Sequence, residues 1–186
     1  MSLKTGASIL GWCNENMDLY WYALYTRSRY EKKVDLFLRQ KGIEVYLPLR
    51  KVLRQWSDRK KWIEEPLFRC YVFVHVNEKD RIRALETDGV VRMVGFQGKP
   101  AVVRDEEIEN IRRILKEIPC VESCPILNVG EWVKVIRGPL MGLVGRLEEI
   151  RGGHRFVIAI DSIGQALRFN VEAGDVAPVS SLERTF

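Results

Sequence analysis

Six of the twelve residues from Arg50 to Lys61 are basic (Arg50, Lys51, Arg54, Arg59, Lys60 and Lys61), and Asp58 is the single acid among them. Cations at this density can neutralise phosphates, a contact that positions a protein on nucleic acid without reading its sequence. The same run also suits a solvated face. Trp56 and Trp62 flank the Ser57-Asp58-Arg59-Lys60 stretch, which has the composition of a turn; on a hairpin they are expected to pair across the strands, and the other use open to them is stacking on an unpaired base. Other chemistry is thinly represented. Cys120 and Cys124 stand four apart with no second cysteine pair, and the chain has only two histidines, His75 and His154. That pattern predicts no metal site, and both histidines read as structural residues on separate strands. With no nucleophile elbow and no phosphate loop, neither an enzyme nor a cofactor is expected.

The elements that must position these residues centre on Pro66 to Val76. From Tyr71 the run alternates, with Tyr71, Phe73 and His75 on one face and Val72, Val74 and Val76 on the other. A strand apolar on both faces is central; its valine face should receive helices, and its aromatic face must meet either more core or a partner. Tyr20 to Tyr25 reads as a first strand, followed by a helix with a Ser28/Glu31 capping box and a stop at Gly42. Residues 43–56 and 61–68 read as the arms of a long hairpin around a turn at Ser57 to Lys60. A short helix opens at Asn77 and ends at Asp88-Gly89, and a strand runs from Val90 to Val94. Phe96 lies in a turn before a short edge strand at Lys99 to Val103, and a helix headed by Asp105, Glu106 and Glu107 carries an isoleucine stripe.

Residues 119–127 lose all periodicity and read as a linker. Beyond them come about five short strands with glycine punctuation, the grammar of a small SH3-like barrel. The fold class is therefore α+β, an antiparallel sheet flanked by helices and followed by a small β-barrel. The divisions are a leader at 1–19, a first domain at 20–118, the linker, a barrel domain at 128–180 and a tail at 181–186. Charge follows the same division: residues 20–118 hold 22 Lys and Arg against 15 Asp and Glu, whereas residues 128–179 hold six of each. Neither a signal-peptide pattern nor a membrane-length apolar run is present, which predicts a cytoplasmic protein.

Two segments carry a family resemblance. The Trp21-Tyr22 strand with its helix and the Pro66 to Val74 stretch resemble the amino-terminal (NGN) domain of the NusG family of transcription elongation and antitermination factors. Val133, Val135, Gly138, Pro139, Gly142 and Gly145 are similar to the KOW motif of that family. The run that is Phe-Pro-Gly-Tyr in housekeeping members stands here as Phe68-Arg69-Cys70-Tyr71. With the long leader, this brings the chain nearer to specialised paralogues such as RfaH and the UpxY antiterminators of Bacteroides polysaccharide operons.

The resemblance implies a non-enzymatic protein that binds the clamp helices of the RNA polymerase largest subunit and suppresses pausing. The matching patch is Tyr25, Tyr71, Phe73, Phe96 and Ile108. Arg27 and Arg29, with Arg54, Arg59, Lys60 and Lys61 of the hairpin, would face upstream or non-template DNA. The barrel would recruit a small-subunit ribosomal protein or Rho through a tip at Leu140 and Met141, which stand where an aromatic is expected. Its β-branched strands should hold it as a barrel rather than the helical hairpin that RfaH can form. A KOW protein acting on RNA or the ribosome is the alternative, and it would put excess positive charge on the barrel, which is neutral by count.

Overall fold

The computed structural model describes residues 18–56, 59–118, 120–126, 130–150 and 153–179. The expected leader lies outside them apart from Asp18 and Leu19, as does the tail. The chain runs β1 (Tyr20–Thr26), α1 (Glu31–Gln40), β2 (Glu44–Tyr46), β3 (Leu49–Gln55), β4 (Lys60–Pro66), β5 (Tyr71–Val76), α2 (Glu78–Leu85), β6 (Val90–Met93), β7 (Gly95–Phe96), β8 (Lys99–Pro100), β9 (Val102–Val103) and α3 (Asp105–Glu117). It continues with β10 (Glu122–Pro125), β11 (Glu131–Val135), β12 (Val144–Ile150), β13 (Gly153–Ile160), β14 (Gln165–Val171) and β15 (Val176–Pro178).

β5 is central, in an antiparallel sheet of order β2-β5-β1-β6 with β9 also on β1. Its valine face is closed by helices. Val72, Val74 and Val76 are buried with Leu24, Val34 and Leu38 of β1 and α1 and with Ala84 of α2. The aromatic face joins a larger cluster that runs from Trp21, Ala23 and Phe73 through Ile108, Ile111 and Ile114 of α3 into the barrel at Val133, Leu143 and Phe156.

Gly42 ends α1 as expected, at φ 76°. The capping box does not form. Arg29 takes φ 64° and delays the helix to Glu31, whose carboxylate instead accepts the Cys70 N–H at 2.8 Å. A tertiary acceptor for a part-buried backbone donor has displaced the local cap. Asn77 does cap α2, its side-chain oxygen accepting the Asp80 N–H at 2.9 Å.

The second sheet is antiparallel, in the order β10-β14-β13-β12-β11-β15. It is the small barrel-like unit expected, and strands occupy the positions where a refolded form would be helical. Gly145 is obligatory there, because a Cβ would lie 2.5 Å from the Val157 carbonyl oxygen and 2.7 Å from the Phe156 ring. Part of the expected linker is itself a strand. Glu122–Pro125 pairs with β14, fastened by a bond from Ser123 Oγ to the Leu67 carbonyl at 2.7 Å. The loss of periodicity that suggested a linker reflects a short edge strand carrying a proline.

Candidate partner and nucleic-acid surfaces

Three side-chain rows on one face of β1 and β5 build the aromatic surface: Trp21 opposite His75, Ala23 opposite Phe73, and Tyr25 opposite Tyr71. The closed end is dense. Trp21 stacks on His75 at 4.8 Å, and Phe73 meets Phe68 edge-on and Tyr46 nearly face-on at about 6 Å. Burial pushes the Tyr46 phenol up to about 12, partly opposed by the Arg112 guanidinium, which lies 5.0 Å above its ring. At the open end Tyr25 and Tyr71 meet edge-on at 5.5 Å, and Arg92 sits 5.2 Å over Tyr25. Both tyrosines are half-buried, and burial raises the Tyr71 pKa above the ordinary phenol value.

The five patch residues thus divide. Tyr25 and Tyr71 form a half-open pair, Phe96 stands 76% exposed on the β7–β8 hairpin, and Phe73 and Ile108 are fully covered inside the cluster that joins sheet, α3 and barrel. Of the expected barrel tip, Leu140 is buried and Met141 exposed.

Two residues that the sequence did not single out tie α3 to the barrel. The Arg113 guanidinium donates to the carbonyls of Pro139 and Met141 at 2.8 and 2.7 Å. Glu107, buried, accepts the Arg104 N–H at its own helix start and, with its other oxygen, the Asp161 N–H of the barrel, both at 3.1 Å. Glu107 read only as a helix-start acid, and nothing in the spacing of Arg113 points to carbonyls 26 and 28 residues away.

The cationic residues fall into two groups. Arg27 and Arg29 are exposed at the β1–α1 junction, Arg27 within 3.4 Å of Asp88. Arg59, Lys60 and Lys61 are exposed around the hairpin tip, and Arg54 donates through Nε and Nη2 to Glu65. The tryptophans do not pair. Leu53 is opposite Trp62 and the Trp56 N–H donates to the Arg59 carbonyl, so the register places the two indoles on opposite faces of the ribbon, 57% and 65% exposed. Parity is the reason. Trp62 lies three residues beyond Arg59, the residue facing Trp56, and an odd offset changes face.

The described residues thus present a half-open aromatic row, an exposed cationic hairpin and a small barrel-like sheet docked on a helix. The family model for the transcription termination factor nusG matches residues 19–112. The transcription termination/antitermination protein NusG of Lactococcus lactis is 25% identical, over 89% of this chain and 96% of its own length. That of Staphylococcus epidermidis is 28% identical, over 82% and 91%. A structure concerned with domain interaction in Thermotoga maritima NusG superposes with a TM-score of 0.53 at 26% identity, covering 88% of this chain and 99% of that one. The chain belongs to the NusG family and is a transcription factor of that family.

Proposed function

We propose that the protein is a non-enzymatic elongation and antitermination factor of the cytoplasm that binds the clamp helices of the RNA polymerase largest subunit and keeps elongation processive. The observation that supports this most is the Tyr25–Tyr71 pair, left half-open beside Arg92 at the end of an otherwise buried aromatic row. Amphipathic aromatics rimmed by a cation suit a helical partner. Phe96 extends the exposed surface. Phe73 and Ile108 join it only when the cluster linking sheet, α3 and barrel opens. In this reading residues 20–118 and 128–180 are the two functional domains. Arg27, Arg29 and the hairpin cations Arg54, Arg59, Lys60 and Lys61 contact upstream or non-template DNA. The Leu140–Met141 tip serves a ribosomal protein or Rho once released. Cys70 in place of the housekeeping glycine favours a specialised, operon-directed paralogue.

The test is binding of the full chain to a purified clamp-helix fragment, for wild type and for Tyr25→Ala/Tyr71→Ala, with circular dichroism as the folding control. Loss of binding with the fold intact is the expected result. Equal binding by both proteins would assign the polymerase contact elsewhere.

A further inference from the structure

A groove of about 810 Å³ runs between the β3–β4 hairpin and the carboxy-terminal half of α3. Leu49, Lys51 and Trp62 form one wall, and Leu115, Lys116 and Ile118 form the other. Its floor is apolar, and its lining carries three cations, Arg50, Lys51 and Lys116, against one acid, Glu64, which stands opposite Lys51 in the hairpin register. The Lys116 side chain is 82% exposed, with a Glu117 carboxylate oxygen 3.9 Å from its ammonium, and a third lysine, Lys32, reaches the same strand by donating to the Glu64 carbonyl at 2.8 Å. The Trp62 ring is the most exposed indole among the described residues. Arg50 braces the hairpin base by donating to the Val121 carbonyl at 3.2 Å, so the wall that carries Trp62 is tied to the chain leading into the barrel.

We infer that this groove is a binding site for single-stranded nucleic acid, in which an unpaired base stacks on Trp62 while Lys51 and Lys116 meet the flanking phosphates. The inference rests on the reading of the hairpin as a nucleic-acid contact and names the side chain that engages a base. An exposed indole offers a face that any base can cover. A duplex keeps its base faces stacked on one another, so it can use the lysines and not the ring. An apolar peptide would fill the floor but leave the excess of cations over Glu64 without a counterpart. Trp56, on the opposite face of the ribbon, is outside the groove and has no part in it.

The experiment is fluorescence anisotropy of a labelled oligothymidylate, titrated with the full chain at low salt and repeated with the matching duplex. Trp62→Ala should weaken single-strand binding about tenfold, with Trp62→Phe restoring most of it and Trp56→Ala staying within about twofold. Duplex binding should be unchanged by Trp62→Ala. A Trp62→Ala protein that binds the single strand as tightly as wild type overturns the groove and leaves the cationic hairpin standing. A Trp62→Ala loss shared equally by duplex and single strand overturns it too. A wild-type chain that binds neither removes both the groove and the hairpin reading, and leaves the clamp-helix measurement to decide the polymerase contact by itself.

Discussion

The two faces of β5 are made from alternate residues of one strand, yet they are closed in different ways. Val72, Val74 and Val76 are sealed by α1 and α2, helices adjacent in sequence. On the other face burial is graded: Phe73 is covered, Tyr71 is half-open, and the cover includes α3 and a barrel from the far end of the chain. A face closed by short connections is part of the fold's own stability, and a face closed by a distant unit can exchange that unit for a partner.

The largest effect expected from this contrast is at Phe73. Phe73→Ala should cost about 4 kcal/mol in urea unfolding, more than the roughly 2 kcal/mol of Val74→Ala across the sheet. A small loss at Phe73 would mean that the aromatic face is loosely packed throughout. Next comes Tyr46. An unfolded tyrosine ionises near 10 whereas the buried phenol holds its proton to about 12, so stability should fall as pH rises through that window. Tyr46→Phe should remove that fall, about 2 kcal/mol at its upper end, when thermal stability is followed against pH.

Cys70 sharpens the comparison at the open end of the row. It stands immediately before Tyr71 at φ 65°, a conformation that costs a side chain about 1 kcal/mol. Cys70→Gly should raise stability by about that amount, and an unchanged midpoint would mean that the thiol's contacts offset the strain. The smallest effect is expected at Arg113. Arg113→Ala removes two hydrogen bonds to the barrel turn, and hydrogen exchange of the Met141, Gly142 and Leu143 amides should quicken a few-fold. If the barrel restricts access to Phe73 and Ile108, clamp-helix binding rises in the same variant.

Much of this was legible in the sequence where period and chemistry agree. The alternation at Tyr71 to Val76 identified the central strand and its helix-covered face, and Asn77 and Gly42 marked helix ends with the residue types such ends require. The misreadings have two causes, a partner distant in sequence and a local parity. Glu31 had the spacing of a local cap and serves the Cys70 amide instead. Trp56 and Trp62 had the composition of a cross-strand pair, but their odd offset in the strand register places them on opposite faces. At the candidate sites the residue types could be read from the chain and their exposure could not. Nothing in spacing separates Tyr71, half-open, from Phe73, covered, because the cover comes from elements far along the chain.

The bonds between α3 and the barrel have a consequence for descent. Arg113 reads two carbonyls and Glu107 one amide, so beside the buried apolar contacts of Ile108, Ile111 and Ile114 the polar part of the docking follows the course of the barrel's backbone and not its exposed side chains. Substitutions at the Met141 side chain, which faces water, leave those acceptors in place. The barrel's outward chemistry can therefore drift toward new partners, generation by generation, without the docked arrangement having to be reinvented.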